Sequence, residues 1–265
     1  MAPPTVIAVK DVWKSFGDNR VLKGVNLEVQ DGQTMVVLGP SGCGKSVLLK
    51  HVIGLLKPDR GSIVVEGKDI TKMSNIELNR MRTSFGMVFQ GAALFDSMTI
   101  GENVGLPLKE HRGLEGDELR DLVESKLRMV GLAGISHRRP AEVSGGMKKR
   151  VALARAIALD PDIILYDEPT TGLDPIMAEQ INELIRALQK KVNATSIVVT
   201  HDLHSASFTG DKVALMHEGK IEFTGTIDEL RCSDNEAVRN FIARGHKLAP
   251  GELENGCYIN PEAFE

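Results

Sequence analysis

The sequence predicts an α/β fold with a largely parallel sheet and an inserted helical block. Three observations carry this. Strand-like runs rich in β-branched residues alternate with amphipathic helical runs. A long stretch with helical patterning separates two strand-rich parts of the chain. The glycine-rich "GPSGCGKS" (39–46) stands between a strand-like and a helix-like run, the place where open α/β sheets put their phosphate-binding turns.

Each element follows from its local pattern. "VIAVKDV", "VNLEVQ", "TMVVLG" and "GSIVVEG" read as strands bounded by Gly, Asp and Pro. "KSVLLKHVIGLL" (45–56) has apolar residues at 47, 48, 49, 52, 53, 55 and 56, which suits a helix packed under a sheet. "FGMVFQ" (85–90) reads as a strand. Residues 91–158 form the helical block, with helices predicted at 117–132 and 145–159. The core resumes with "DIILYDEP", a helix at 175–191, "TSIVVTHD" and "KVALMHEGKIEFTG". A short helix near 234–243 precedes the tail "GHKLAPGELENGCYINPEAFE". Its Tyr258, Ile259 and Phe264 are apolar anchors, so a solvated terminus and a docked one both stay open.

Composition narrows the class. The 265 residues suit one large domain or two small ones, and an apolar share of 42% is enough for a full core. A net charge of -4 counts against a general nucleic-acid binder. Cys43, Cys232 and Cys257 have no metal-ligand spacing, and an odd, sparse count fits a reducing compartment. The start, "MAPPTVIAVKD", lacks the pattern of a secretory signal. No apolar run approaches the roughly 20 residues that span a bilayer, so work at a membrane implies an anchoring partner.

The chemistry sits at two places. "GPSGCGKS" matches G-x-x-x-x-G-K-[ST] after a strand and at the start of a helix. Its glycines let successive N–H groups turn toward phosphate oxygens, Lys45 adds positive charge, and the Ser46 hydroxyl suits Mg²⁺. The helix N-terminus adds its partial positive charge. "IILYDEP" (163–169) carries a buried strand to a polar end. Asp167 there would reach Mg²⁺, and Glu168 would take a proton from the attacking water.

With these motifs in order, the chain resembles the nucleotide-binding subunit of ABC transporters from about residue 6 to about 230. Phe16, in "KSFG", looks like the aromatic that stacks on adenine. Gly39, Pro40, Ser41, Gly42, Cys43, Gly44, Lys45 and Ser46 form the phosphate loop. Gln90 looks like the glutamine that links the metal to the helical subdomain. "VSGGM" matches the signature, "TGLD" (171–174) the D-loop with Asp174, and His201 the switch histidine that contacts the γ-phosphate. The resemblance implies a P-loop NTPase with a RecA-like, mostly parallel sheet core, an N-terminal antiparallel β subdomain and an α-helical subdomain at about 91–158. It implies a nucleotide-binding domain over 1–240, followed by a C-terminal extension over 241–265, which in the lipid-transporter relatives named below can reach the partner subunit. ATP and Mg²⁺ are the implied cofactors, with Ser46, Gln90 and Asp167 as the metal set and Glu168, His201 and Gln90 as the catalytic set.

In this family two copies pair head to tail, so Ser144, Gly145 and Gly146 serve ATP held by the other copy. "QGAALFDSMTIGENV", "VSGGMKKRVALARA" and "DEPTTGLDPI" together resemble the ATPase of MCE-linked lipid transporters, nearest to bacterial maintenance-of-lipid-asymmetry (Mla) systems. That implies a permease, an MCE-domain lipid-binding protein and, in some systems, a small STAS-domain protein as partners. It also implies a peripheral position on the cytoplasmic side of the inner membrane. Ala93, Leu94, Phe95 and Met98 are expected to line a groove for the permease, or else to pack in the core. The same motor for another small solute is the rival reading. Translation and DNA-repair relatives usually carry two nucleotide domains or a long coiled coil, and a switch without turnover would have little use for Glu168.

Met147 and Val143 depart from the family pattern, which has glutamine and leucine there. The phosphate donors survive, because they are Ser144 and backbone amides, but Met147 cannot donate a hydrogen bond to a ribose. Met147→Gln is therefore expected to tighten discrimination at the sugar, read from the relative affinity for ribose and deoxyribose triphosphates. Unchanged affinity and sugar preference would contradict this.

Overall fold

The computed structural model of the chain describes residues 3–245. In chain order the strands are β1 (Thr5–Phe16), β2 (Asn19–Gln30), β3 (Thr34–Leu38), β4 (Arg60–Val65), β5 (Lys68–Asp69), β6 (Phe85–Val88), β7 (Ile163–Asp167), β8 (Thr195–Thr200), β9 (Lys212–His217) and β10 (Lys220–Gly225). The helices are α1 (Lys45–Val52), α2 (Asn75–Met81), α3 (Ile100–Arg112), α4 (Gly116–Met129), α5 (Gly145–Ala156), α6 (Pro175–Val192), α7 (Leu203–Thr209), α8 (Ile227–Arg231) and α9 (Glu236–Gly245). The chain divides into two compact units, one of residues 1–71 with those from 199 onward, the other of residues 72–198. The division falls inside β8.

In the first unit, β1 and β2 form a long antiparallel hairpin that turns at Gly17, with Phe16 opposite Asn19. Together with β4 and β5 they make a sheet of order β2-β1-β4-β5. β1 bends at Asp11, whose φ is 47°, and Gly61 lies against that bend. A Cβ on Gly61 would come within 2.2 Å of the Asp11 carbonyl oxygen, so no other residue fits without backbone movement. β3 is buried along its whole length and pairs in parallel with β9, which folds back onto β10. Glu218 and Gly219 both have positive φ, the backbone of a two-residue turn that matches strand twist.

In the second unit the strand order is β8-β7-β6, with β6 and β7 parallel and Val88 opposite Tyr166. α3 packs on α4 and α5 through Ile100, Val104 and Leu108 on α3, and through Val123 and Leu127 on α4. The spacing of four places each set on one helix face. Thr99 and Glu102 form a capping box at the start of α3. α3 runs through Pro107, and the sequence reading of the block did not identify it. Nor did it identify α2, α7 and α8. The expected helix at 45–56 ends earlier, at Val52, after which Ile53 caps it and Gly54 turns the chain with φ 70°.

Among the described residues no helix is long and apolar enough to cross a membrane. Cys43 is a buried free thiol; the expectation for Cys257 lies outside the described residues. The docking anchors expected at Tyr258, Ile259 and Phe264 lie outside the described residues.

The segment that leads into α3 is fixed by one side chain. Asn103 is fully buried; its Oδ1 accepts from the Phe95 N–H at 2.8 Å, and its Nδ2 donates to the carbonyls of Phe95 at 3.1 Å and Thr99 at 2.9 Å. Removing the amide takes the acceptor from the Phe95 N–H and empties a buried polar site, while the Phe95 and Thr99 carbonyls keep their backbone donors. Asn103→Ala is expected to destabilise the protein by about 2 kcal/mol, measured by urea denaturation, with the Phe95 loop the first segment to exchange its amide hydrogens.

Candidate functional site

The phosphate loop belongs to the first unit. β3 ends at Leu38 and α1 begins at Lys45, so the loop is a strand-to-helix turn. Gly42 and Gly44 have φ of 83° and 111°, left-handed values that L side chains rarely adopt. A Cβ on Gly39 would lie 2.2 Å from the Met216 carbonyl oxygen, so this glycine lets the loop pass close to β9. Nothing lies within 4 Å of a Cβ built on Gly42, which leaves that part of the loop open. Pro40 and Ser41 follow Gly39 along it, and the Cys43 side chain is turned inward. Lys45 is buried, and its Nζ donates to the carbonyls of Gly39 at 2.8 Å and Pro40 at 3.1 Å. The ammonium is thus held over the loop it serves, and Ser46 sits in the first turn of α1, where N–H groups and the helix dipole favour an anion.

Two further expected residues lie in this unit. Phe16 ends β1 and is 48% exposed, with the Lys14 ammonium 5.7 Å from its ring centre. Its ring is thus half exposed and not buried in the core. His201 is exposed directly after β8. The chain is fixed on its far side by Asp202, which caps α7 by accepting from the N–H groups of His204 and Ser205.

The second unit holds the acids and the signature. Asp167 closes β7, and Glu168 follows it; both are buried. Glu168 has φ 48°, a left-handed backbone that costs a non-glycine residue energy and is found mainly where function requires it. The turn directs its carboxylate off the strand end, where the Thr171 hydroxyl donates to Glu168 Oε2 at 3.0 Å. Because β6 and β7 run parallel with Val88 opposite Tyr166, Gln90 and Glu168 each leave their strand two residues past that pair. The two adjacent strand ends thereby bring Gln90 and the acids to one edge.

Ser144 caps α5, its Oγ accepting from the Met147 N–H at 3.3 Å. The cap uses an oxygen lone pair, so the hydroxyl proton stays available to donate. Ser144 and Gly145 are exposed, and a Cβ on Gly145 would meet nothing within 4 Å. Gly146 is buried, with the Met177 methyl where a Cβ would stand. Asp174 caps α6 by accepting from the Met177 N–H at 3.0 Å, which fixes the start of that helix.

Sequence reasoning missed Lys149. In a run of three basic residues it reads as a solvated cation, yet it is 7% exposed. Its Nζ donates to the Gln90 carbonyl, and its charge interacts with Glu168 and Asp167. Burial lowers its pKa from the ordinary lysine value, and the two carboxylates pull it back up. The signal was in the spacing: Gly146, Lys149, Leu153 and Ala156 are three or four apart and all buried, which puts the lysine on the apolar face of α5.

Ser46 and Asp167 are hard oxygen donors of the kind Mg²⁺ prefers, and Gln90 adds an amide oxygen. Among the described residues no group of three or more His, Cys, Asp or Glu side chains gathers into a metal cage.

The chain matches the family model for ABC transporters over residues 22–171. It is 44% identical over 244 residues to the probable ribonucleotide transport ATP-binding protein mkl of Mycobacterium leprae, covering 92% of this chain and 70% of that protein. It is 42% identical over 237 residues to the intermembrane phospholipid transport system ATP-binding protein MlaF of Haemophilus influenzae, covering 89% of this chain and 90% of that protein. Among solved structures it is similar to a dimeric ATP-binding cassette in a post-hydrolysis state with ADP and Pi. The TM-score is 0.77 at 34% identity, over 83% of this chain and 98% of that one.

The Thr171 hydroxyl donates to Glu168 and so helps to orient its carboxylate. Thr171→Val is expected to lower kcat about fivefold with little change in ATP affinity. Thr171→Ser, which keeps the donor, is expected to stay near the wild-type rate. Equal losses in both variants would assign Thr171 a packing role.

Proposed function

The chain belongs to the ABC transporter family, and from that premise we propose that it powers a transporter moving phospholipid between inner and outer membranes to maintain lipid asymmetry. It is an ATPase that binds ATP and uses Mg²⁺. The observation that supports the lipid cargo is the match to the phospholipid-transport protein, which runs along nearly the whole of both chains.

The proposed roles follow from the residues. The amides of 39–46 and Lys45 hold the triphosphate, and Phe16 stacks on the base. Ser46, Gln90 and Asp167 hold Mg²⁺, which when bound neutralises charge on the β- and γ-phosphates. Glu168 accepts a proton from water. The water oxygen bonds to the γ-phosphorus as the bond to the β–γ bridging oxygen breaks, leaving ADP and phosphate. His201 donates to the γ-phosphate. Ser144 and the amides at 145–146 complete the site of a second copy, with Asp174 at the same junction, so ATP favours the paired state and hydrolysis releases it.

The proposed assembly is a head-to-tail homodimer under a permease, with an MCE-domain lipid-binding protein and, in some systems, a STAS-domain protein. It stands on the cytoplasmic side of the inner membrane, with the nucleotide-binding domain at 1–240, the helical subdomain at about 91–158 and an extension at 241–265. Phe95, which is 50% exposed, supports a permease contact in the segment after Gln90. A second reading, the same motor for another small solute, is favoured by the similarity to the ribonucleotide-transport protein.

Glu168→Gln is expected to keep ATP binding, slow hydrolysis by more than about a hundredfold and accumulate ATP-bound dimer. Purified in mild detergent from its own membranes, this variant is expected to carry a permease, an MCE-domain protein and enriched phospholipid, identified by mass spectrometry. A different binding protein would replace the cargo, and purely soluble partners would overturn the transporter role.

A further inference from the structure

We propose that Lys149 is a positioning residue for ATP hydrolysis, tying the helix that presents Ser144 to the Gln90 backbone and to the acid pair Asp167–Glu168. Lysine is rarely buried unless its charge is matched, because taking an ammonium out of water is unfavourable. Here three groups match it. The Gln90 carbonyl accepts a hydrogen bond from it, and Asp167 and Glu168 are near enough to favour its charged form. The same ammonium offsets the repulsion between two adjacent carboxylates that are themselves buried.

The link is mechanical as well as electrostatic. α5 is one continuous helix from Gly145 to Ala156, with Ser144 at its cap and Lys149 in its second turn. Near its end Arg155 grips the segment that leaves Gln90, donating to the carbonyls of Ala92 at 2.8 Å and Ala93 at 2.7 Å. Ala92 and Ala93 both have left-handed backbones, φ 63° and 49°, a strained pair that needs such a hold. The strained segment is therefore built against α5, and Lys149 fixes where it starts. A shift of α5 as Ser144 meets a phosphate moves the ammonium against Gln90 and Glu168 together. The signature on one side and the base on the other are thus coupled within a single unit. The inference rests on ATP hydrolysis and is independent of the cargo.

The test uses the full-length protein and Mg-ATP turnover. Lys149→Met keeps the length of the side chain and removes its charge. It is expected to lower kcat at least about tenfold, with KM for ATP within about twofold of wild type and half-saturation by Mg²⁺ shifted to lower concentration, because the acid pair has lost its cation. Lys149→Arg, which restores the charge, is expected to recover most of the rate. Lys149→Gln, which keeps a donor without the charge, is expected to fall with Lys149→Met. A kcat within about twofold of wild type in both neutral variants would overturn the inference. So would an arginine variant no faster than the methionine one, or neutral variants that lose ATP affinity and thermal stability in step with kcat, since those results describe a scaffold residue.

Discussion

Two adjacent carboxylates buried at the end of β7 are the constraint around which the second unit is arranged. Asp167 and Glu168 are both buried, and two neighbouring carboxylates are costly to bury together. The unit answers with a cation from inside, on α5. Lys149 on α5 donates to the Gln90 carbonyl, and the same helix carries Ser144 at its cap. The left-handed turn at Glu168 and the Thr171 hydroxyl then set the direction of the Glu168 carboxylate.

The first unit solves the opposite problem, the holding of a polyanion, with few side-chain charges. Its loop uses glycine backbones that no other residue adopts easily, a helix start, and one lysine folded back along the loop carbonyls. Such a site is specific for the geometry of a phosphate chain and indifferent to what the hydrolysis drives. The acids in the other unit are likewise specific for chemistry alone. Relatives of comparable identity carry names with different transported compounds.

Much of this was legible because function had forced unusual residues into sequence. The loop at 39–46 announces itself through glycines at steric turns, and β7 through an unbroken apolar run that ends in two acids. α3 was not legible. Its Gly101, Gly105 and Pro107 mask a helical periodicity that Ile100, Val104 and Leu108 sustain, and tertiary packing on α4 and α5 overrides the local propensity. Lys149 was hidden for a different reason. Lysine beside Lys148 and Arg150 looks solvated, and only the helical phase of its apolar neighbours separates it from them. The half-exposure of Phe16 at the end of β1 is likewise not readable from its local pattern.

The central claim is that a complete ATP site takes its phosphate loop from one copy and its signature from another. Two inactive variants test it most directly: Lys45→Ala, which disables the loop, and Ser144→Arg, which blocks the signature. Each alone has both of its sites broken. In a mixed dimer one site carries both defects and the other carries none. The account predicts that mixing the two variants restores ATP hydrolysis, up to about a quarter of the wild-type rate if pairing is random and sites act independently. A mixture that stays as inactive as its components, while mixed dimers form, would contradict it.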